Sequence, residues 1–194
     1  MKILEKRGLI KKRGTPEHRL FGDKYPVDII PWGSELVKNN EIEWPASKLK
    51  MSAAGLQYAF RNYQLKQIHE SLTLPILTLP VSVYLKILTY SDRNKKKDLE
   101  DALYILIHYE EIEISERRFE LPDNIIRDYD LCGAYLTGMD LKDIISKKEV
   151  TALKVFIMEK IKPDTLTIDY LADKFFETPE YIQNLLSLFI EGLE

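Results

Sequence analysis

The sequence contains very little cysteine and no long apolar run. Cys132 is the only cysteine among 194 residues, so the chain has neither an internal disulfide nor a thiolate cage for a metal. No stretch approaches the roughly 18 apolar residues of a membrane-spanning helix. The first residues alternate charges with isolated apolar side chains instead of forming a signal-peptide core. These absences predict a cytoplasmic protein with no role in a membrane.

Histidine is also scarce, and the charge is unevenly distributed. The three histidines, His18, His69 and His108, lie too far apart in sequence for metal-ligand spacing, which favours surface or packing roles. The formal net charge is −3, yet residues 1–24 hold eight Lys or Arg against three Asp or Glu. This basic end suits either a phosphate-bearing ligand or a solvated, frayed terminus.

Strand and turn signals occupy the first third of the chain. Residues 18–22 and 27–31 are short β-type runs joined by turn-forming residues, which predicts a hairpin, and 41–44 is a further strand candidate. Periodicity leaves 56–68 open as a helix, a strand or one followed by the other. Pro75 makes 72–79 an edge strand or an extended lead into the next helix.

Helical signals run from residue 81 onward. An apolar face with 3.6-residue periodicity predicts a helix, with Asp98 in its first turn, and is formed by Leu99, Ala102, Leu103, Leu106 and Ile107. The last helix has Thr178 as N-cap, Pro179 at its first position and Gly192 past its end. The further helices are predicted at 122–128, 141–146, 149–161, 168–176 and 179–190. We therefore expect an α+β fold, with a sheet region at 1–78 and a helical lobe at 79–194.

A polar stripe marks the helix that starts near residue 81. Ser82, Lys86, Thr89 and Arg93 recur at intervals of three or four in a segment that is otherwise almost wholly apolar. A helix that is apolar on most sides is buried, so Lys86 needs an anionic partner. Lys86 and Arg93 lie about 10 Å apart along one face, a separation that suits a triphosphate. The alternative is that both side chains pair with structural carboxylates.

Asp28 is the second candidate site residue. It stands inside an apolar strand, where an aspartate is unusual. A carboxylate on a rigid strand suits a hard cation such as Mg²⁺. The alternative is that Asp28 points into water at a sheet edge or forms a salt bridge with Arg19 across the hairpin.

A helix-turn-helix rhythm near the C-terminus is not matched by the charge that DNA binding requires. The would-be recognition helix after Thr178 carries Glu180, Glu191 and Glu194 and no Lys or Arg, so DNA phosphates would be repelled. We do not expect DNA to be a ligand.

Several short motifs taken in order resemble one known family. They are Val27-Asp-Ile-Ile-Pro-Trp-Gly33, Trp44-Pro45, Leu85-Lys-Ile, Asp92-Arg93, Lys97-Asp-Leu-Glu-Asp101 and Ala134-Tyr-Leu-Thr-Gly-Met-Asp140. This series is similar to the bacterial nucleotidyltransferase-fold proteins related to the AbiE abortive-infection toxins. The resemblance spans about residues 19–145. It implies a partial nucleotidyltransferase-type sheet followed by the helical lobe.

The resemblance also implies a role for each candidate residue. Asp28 would be catalytic, as the third acidic residue of an Mg²⁺ site. Lys86 and Arg93 would hold the phosphates of an NTP, and Asp98 would orient this Lys/Arg pair. As a class, such proteins transfer a nucleotide from NTP to a hydroxyl group of RNA, protein or a small molecule. Fixed cations and Mg²⁺ stabilise the charge on the transferring phosphoryl oxygens.

One departure from the family pattern limits what we expect of this chain. The family's Gly-Ser turn and Asp-x-Asp metal pair precede the third acid, but residues 1–27 contain neither. Gly33-Ser34 with Glu41 and Glu43 imitates them only superficially, because it lies downstream of Asp28. Two-metal phosphoryl transfer needs several converging carboxylates. We therefore expect a partial or inactive nucleotidyltransferase that does not act alone.

The rival interpretation is a non-catalytic nucleotide-binding or protein-interaction module. The expected partners are NTP, an antitoxin, and either a second copy or a partner chain. The second copy or the partner chain would bind along an unpaired strand edge near residues 18–31.

Overall fold

The computed structural model describes Lys6 and residues 8–33, 35, 37–113, 116–122, 131–161 and 166–194. Strands fill the N-terminal part and helices the C-terminal part, which confirms the α+β prediction. Contacts divide the chain into two compact units, Met1–Ala54 and Gly55–Glu194. The boundary that we expected from the sequence, at 78/79, is instead the point where strands are followed by long helices. Across the described ranges, no helix combines the length and apolarity needed to cross a membrane.

The described residues of the first unit form two small antiparallel sheets. β1 (Arg19–Phe21) and β2 (Pro26–Asp28) form the predicted hairpin, with Arg19 opposite Asp28. The second sheet has the order β3 (Val37–Lys38), β4 (Glu41–Glu43) and β5 (Lys50–Ser52). The strand predicted at 41–44 is thereby confirmed.

The turn and the core of this unit have clear local causes. Asn39 and Asn40 both have positive φ angles between β3 and β4, a backbone geometry that asparagine tolerates better than most residues. Leu20, Ile42 and Ala53 are fully buried, and Trp44 is nearly so. The ring of His18, just before β1, lies 5.1 Å from the ring of Trp44, just after β4, so the two sheets meet at this contact.

The second unit begins with a short helix and a long hairpin. α1 (Leu56–Ala59) is followed by β6 (Tyr63–His69), so the stretch that the sequence left open is a helix and then a strand. β7 (Leu72–Leu77) contains Pro75, and it is the edge strand that the sequence allowed for residues 72–79. A Cβ on Gly55 would lie 2.8 Å from Leu85, so the chain needs glycine where it enters α1.

The described residues of the second unit contain six longer helices. They are α2 (Leu79–Arg93), α3 (Lys96–Glu113), α4 (Cys132–Lys142), α5 (Lys147–Lys160), α6 (Leu166–Phe175) and α7 (Pro179–Gly192). A short 3₁₀ helix, Arg117–Glu120, follows α3. The helices predicted at 149–161, 168–176 and 179–190 are confirmed. The prediction at 122–128 lies almost wholly outside the described residues.

The helix predicted at 141–146 is wrong. The helix here is α4, which starts at Cys132 and ends at Lys142. Ser146 has an extended backbone and caps α5, where its side chain and that of Glu149 form a reciprocal capping box. A residue that caps the next helix cannot continue the preceding one, so the helix must end before it.

The core of the second unit is built around α3, α4 and α7. Leu99, Ala102, Leu103 and Leu106 are buried, as their spacing predicted, while Ile107 packs partly buried at the edge. Gly192 is the last residue of α7 rather than the residue past it. A Cβ there would lie 2.2 Å from the carbonyl oxygen of Tyr135 in α4, so the crossing of the two helices requires glycine at this position.

Candidate phosphate-binding site

Helix α2 carries the polar stripe that the sequence singled out, but only part of the stripe is available to a ligand. The hydroxyl groups of Ser82 and Thr89 donate to the helix backbone, to Thr78 O at 3.1 Å and to Leu85 O at 2.7 Å. Such bonds satisfy the hydroxyl protons locally. The groups that remain are the two cations, Lys86 and Arg93.

Arg93 is held by a buried carboxylate. Its Nε and Nη2 atoms donate to the two carboxylate oxygens of Asp98 at 2.8 and 2.6 Å. Asp98 is only 1% exposed, whereas the Arg93 side chain is 49% exposed. The hydrogen bonds to Asp98 raise the pKa of Arg93. A planar guanidinium bound on two atoms has a fixed orientation.

The turn between α2 and α3 explains why these two residues meet. Asn94 ends α2 in a left-handed conformation, with φ at 52°, and its N–H donates to Tyr90 O at 2.7 Å. Asp98 lies in the first turn of α3, where the helix dipole favours an acid. The short connection therefore places Arg93 at the end of one helix beside Asp98 at the start of the next.

Lys86 also has a carboxylate partner. Its Nζ atom lies 2.5 Å from Asp101 and 4.0 Å from Asp98. Lys97 contacts the other oxygen of Asp101 at 3.2 Å. Burial alone would raise the pKa of Asp101, but the hydrogen bonds from Lys86 and Lys97 outweigh it and lower the pKa. Asp101 is thus bound by two lysines.

Lys86 thus has the anionic partner that the sequence required. Its side chain is 38% exposed, because the stripe lies at the boundary of the apolar face rather than inside it. The contacts are those of the structural alternative, in which both cations pair with carboxylates. In the described part of the chain, the Nη1 atom of Arg93 contacts no acceptor, so this half-exposed guanidinium retains one edge for an anion.

Further lysines surround this pair. Lys96 lies over the ring of Tyr170 at 4.2 Å, and the Tyr170 hydroxyl donates to Glu100 at 2.5 Å. Lys97 is mostly exposed. The segment 86–101 holds five cations against four carboxylates, so the face is only weakly basic.

Asp28 is engaged elsewhere. Arg19 donates to both of its carboxylate oxygens at 2.7 Å, across the β1–β2 hairpin. The hydrogen bond from Arg19 lowers the pKa of Asp28. This is the salt bridge that the sequence allowed as an alternative. Asp28 belongs to the unit Met1–Ala54, whereas the other candidate residues belong to Gly55–Glu194.

The arrangement around Asp28 does not fit an Mg²⁺ ion. Mg²⁺ needs several oxygen ligands in near-octahedral geometry, and the one carboxylate here is already bound on both oxygens by a guanidinium. Among the residues with described positions, no three His, Cys, Asp or Glu side chains form a group that could hold a metal.

A third arginine–aspartate pair received no role from the sequence. Arg117 donates to both oxygens of Asp140 at 2.7 and 2.6 Å, and the buried Tyr109 hydroxyl donates at 2.5 Å. Burial alone would raise the pKa of Asp140, but Arg117 and Tyr109 lower it. The motif ending in Asp140 was the only signal for this cluster, and no sequence pattern indicated that Arg117 and Tyr109 would be its partners.

Comparison with known protein families, curated proteins and solved structures finds no match to this chain.

Proposed function

We propose that this protein is nucleotidyltransferase-like and binds the phosphates of an NTP at the α2–α3 turn, without transferring nucleotides by itself. The observation that carries the proposal is the fixed, half-exposed guanidinium of Arg93. Asp98 orients it from within the core. A guanidinium with a defined orientation loses little entropy when it binds a phosphate oxygen.

Arg93 is the main anchor in this proposal, and Lys86 is secondary. A phosphate at Lys86 must compete with Asp101, which lies 2.5 Å away. Asp101 retains Lys97 when Lys86 turns to a ligand. The exchange therefore leaves no carboxylate unpaired.

The absence of catalysis rests on the carboxylates. Residues 1–27 contain no Asp-x-Asp pair, and Asp28 is bound by Arg19. Two-metal transfer needs several converging carboxylates. We assign no catalytic step to these residues.

Calorimetric titration of the purified chain with Mg²⁺-ATP and Mg²⁺-GTP tests the proposal. We expect Arg93→Lys, which keeps the charge but loses the fixed fork, to weaken binding several-fold. Lys86→Ala should weaken it less. Lys154→Ala is the control, because Lys154 is a paired lysine on another helix, bound to Glu194. Equal affinity in all four proteins, or no binding by the unmodified chain, would contradict the proposal.

The rival function, a protein-interaction module, is favoured by a different observation. The β6–β7 hairpin exposes many apolar side chains. Exposed apolar surface of this kind marks interaction sites.

A further inference from the structure

Among the described residues, no third strand pairs with the β6–β7 hairpin. Every residue of β6 is exposed, and so is every residue of β7 up to Ile76. The exposed apolar side chains on the two strands are Tyr63, Leu65, Ile68, Leu72, Leu74 and Ile76. A two-stranded hairpin is at best marginally stable alone in water, and an additional strand stabilises it. The hairpin is thus ready to accept another strand.

Alternate residues of each strand direct their N–H and C=O groups inward, to the partner strand, or outward, and this alternation decides which edge can accept another strand. Thr78 N donates to Asn62 O at 3.2 Å, so the main-chain groups of the pair Asn62 and Thr78 point inward, toward each other across the hairpin. In an antiparallel pair such positions alternate with positions whose N–H and C=O point outward. Leu65 and Pro75 form the third pair along the register from Asn62 and Thr78, so their main-chain groups point outward.

Pro75 therefore blocks one of the two edges. It has no N–H, and its place on the outer edge of β7 removes a donor from the middle of that edge. On the outer edge of β6, the same alternation exposes the complete N–H and C=O groups of Tyr63, Leu65 and Gln67. A further strand must pair with β6.

We infer that the strand which pairs there is β6 of a second copy of this chain, in an antiparallel dimer about a two-fold axis at Leu65. Three outward-facing residues centred on Leu65 pair symmetrically with themselves. Leu65 then faces the partner's Leu65, and Tyr63 faces the partner's Gln67. Each such pair exchanges two main-chain bonds, or about six in total.

The charges of β6 agree with this register. Lys66 is the only Lys, Arg, Asp or Glu in β6. In the register centred on Leu65 it faces the partner's Gln64, so no like charges meet. At the hairpin end, His69 lies opposite the partner's Arg61. Glu70, the next residue, is then a diagonal neighbour of that arginine, and the two charges are opposite in sign. A strand with an unfavourable charge at its centre would resist self-pairing.

The side chains on one face add an apolar contribution. Phe60, Tyr63, Leu65, Pro75 and Leu77 line a groove of ≈ 500 Å³ with Ala59. The two-fold axis at Leu65 brings the grooves of both copies onto the same face of a four-stranded sheet. The 67% exposed Leu65 lies at its centre. Contact between the two Leu65 side chains across the axis removes apolar surface from water and adds to the main-chain bonds.

Sedimentation equilibrium of the full chain over a range of concentrations tests the inference. The unmodified protein should approach twice the monomer mass of 22.7 kDa as concentration rises. Leu65→Pro removes the outward donor at the axis but no bond within the hairpin, so its mass should stay at the monomer value. Thr73→Pro is the matched control, because it makes the same change on the already blocked edge of β7. It should dimerise normally.

A second pair of variants keeps the test decisive if proline perturbs the hairpin. Leu65→Lys places like charges opposite each other at the axis and should abolish dimerisation, whereas Thr73→Lys should not. Far-ultraviolet circular dichroism and melting temperatures establish that each variant folds. A monomeric unmodified protein at every concentration overturns the inference. So does a dimer that survives both Leu65 variants, or one that both Thr73 variants also dissociate.

Discussion

At the scale of the residue, the two cations of α2 differ in what their removal leaves behind. Arg93 is the bidentate partner of an aspartate that is 1% exposed, and Lys86, at 4.0 Å, is the only other cation that the described residues place near that carboxylate. Lys86 binds an aspartate that retains Lys97. The same kind of charge therefore has a structural role at one position and a dispensable one at the other.

We expect Arg93→Ala to destabilise the protein by roughly 3–5 kcal/mol, because it leaves a buried carboxylate without its main partner. Lys86→Ala should cost only about 0.5–1 kcal/mol, as for other partly exposed ion pairs. Urea unfolding at neutral pH gives both values. The double substitution Arg93→Ala with Asp98→Leu should restore much of the loss, since it removes the stranded charge. A larger loss for Lys86→Ala than for Arg93→Ala would show that Lys86, not Arg93, neutralises Asp98.

At the scale of the element, α4 is joined to its neighbours in two ways. Asp140 at its C-terminal end binds Tyr109 of α3 and Arg117 of the 3₁₀ helix. On its other side, Gly138 lies against α7 so closely that a Cβ would meet the carbonyl oxygen of Phe189 at 2.3 Å. One contact is electrostatic and the other steric, so they respond to different tests.

The Asp140 cluster predicts an acid-dependent loss of stability. Arg117 and Tyr109 hold the pKa of Asp140 below its ordinary value of 3.8. Its contribution is therefore present above that value and is lost as the pH falls through the lower folded-state pKa. Asp140→Asn should cost about 1.5–3 kcal/mol at neutral pH, and the difference from the unmodified protein should shrink in acid. Urea unfolding across this pH range measures it, with the exposed Asp173→Asn as the control. A difference that does not change with pH would contradict this origin.

The helix crossing predicts that alanine is worse than glycine at one helical position. In an ordinary helix, Gly→Ala stabilises by up to ~1 kcal/mol. Gly138→Ala should instead destabilise by roughly 1–3 kcal/mol or more, because α4 and α7 must separate. Thermal unfolding tests this, with the exposed Ser187→Ala on α7 as a control that should be nearly neutral. A stabilised Gly138→Ala protein would show that the helices do not approach this closely.

At the scale of the whole molecule, the question is whether these 194 residues catalyse anything. We expect the purified chain to show no nucleotidyl transfer from α-labelled NTPs in the presence of Mg²⁺. The reason is that Asp28 is bound by Arg19 and no Asp-x-Asp pair precedes it. Incorporation of label into protein or RNA would refute this. Asp28→Asn would then test whether Asp28 carries the activity, with Asp173→Asn as the control.

The sequence by itself determined the order and type of most elements. The apolar period of residues 99–106 and the Thr178–Pro179 start of the last helix are local signals, and the structure confirms both. The hairpin at residues 18–31 follows equally from short-range turn chemistry. Helix periodicity, caps and turns depend on neighbours a few residues away, which is why sequence alone reveals them.

Only the tertiary structure decided which charges meet and where close contact forbids a side chain. The sequence left open which carboxylates could pair with Lys86 and Arg93, and the structure pairs Asp98 with Arg93 and Asp101 with Lys86. Gly192 looked like a helix stop, but its contact with α4 requires glycine within the helix. Whether a cation is paired, and whether a glycine ends a helix or lets two helices touch, depends on distances between elements that are remote in sequence. Those distances are set by packing, which no local pattern encodes.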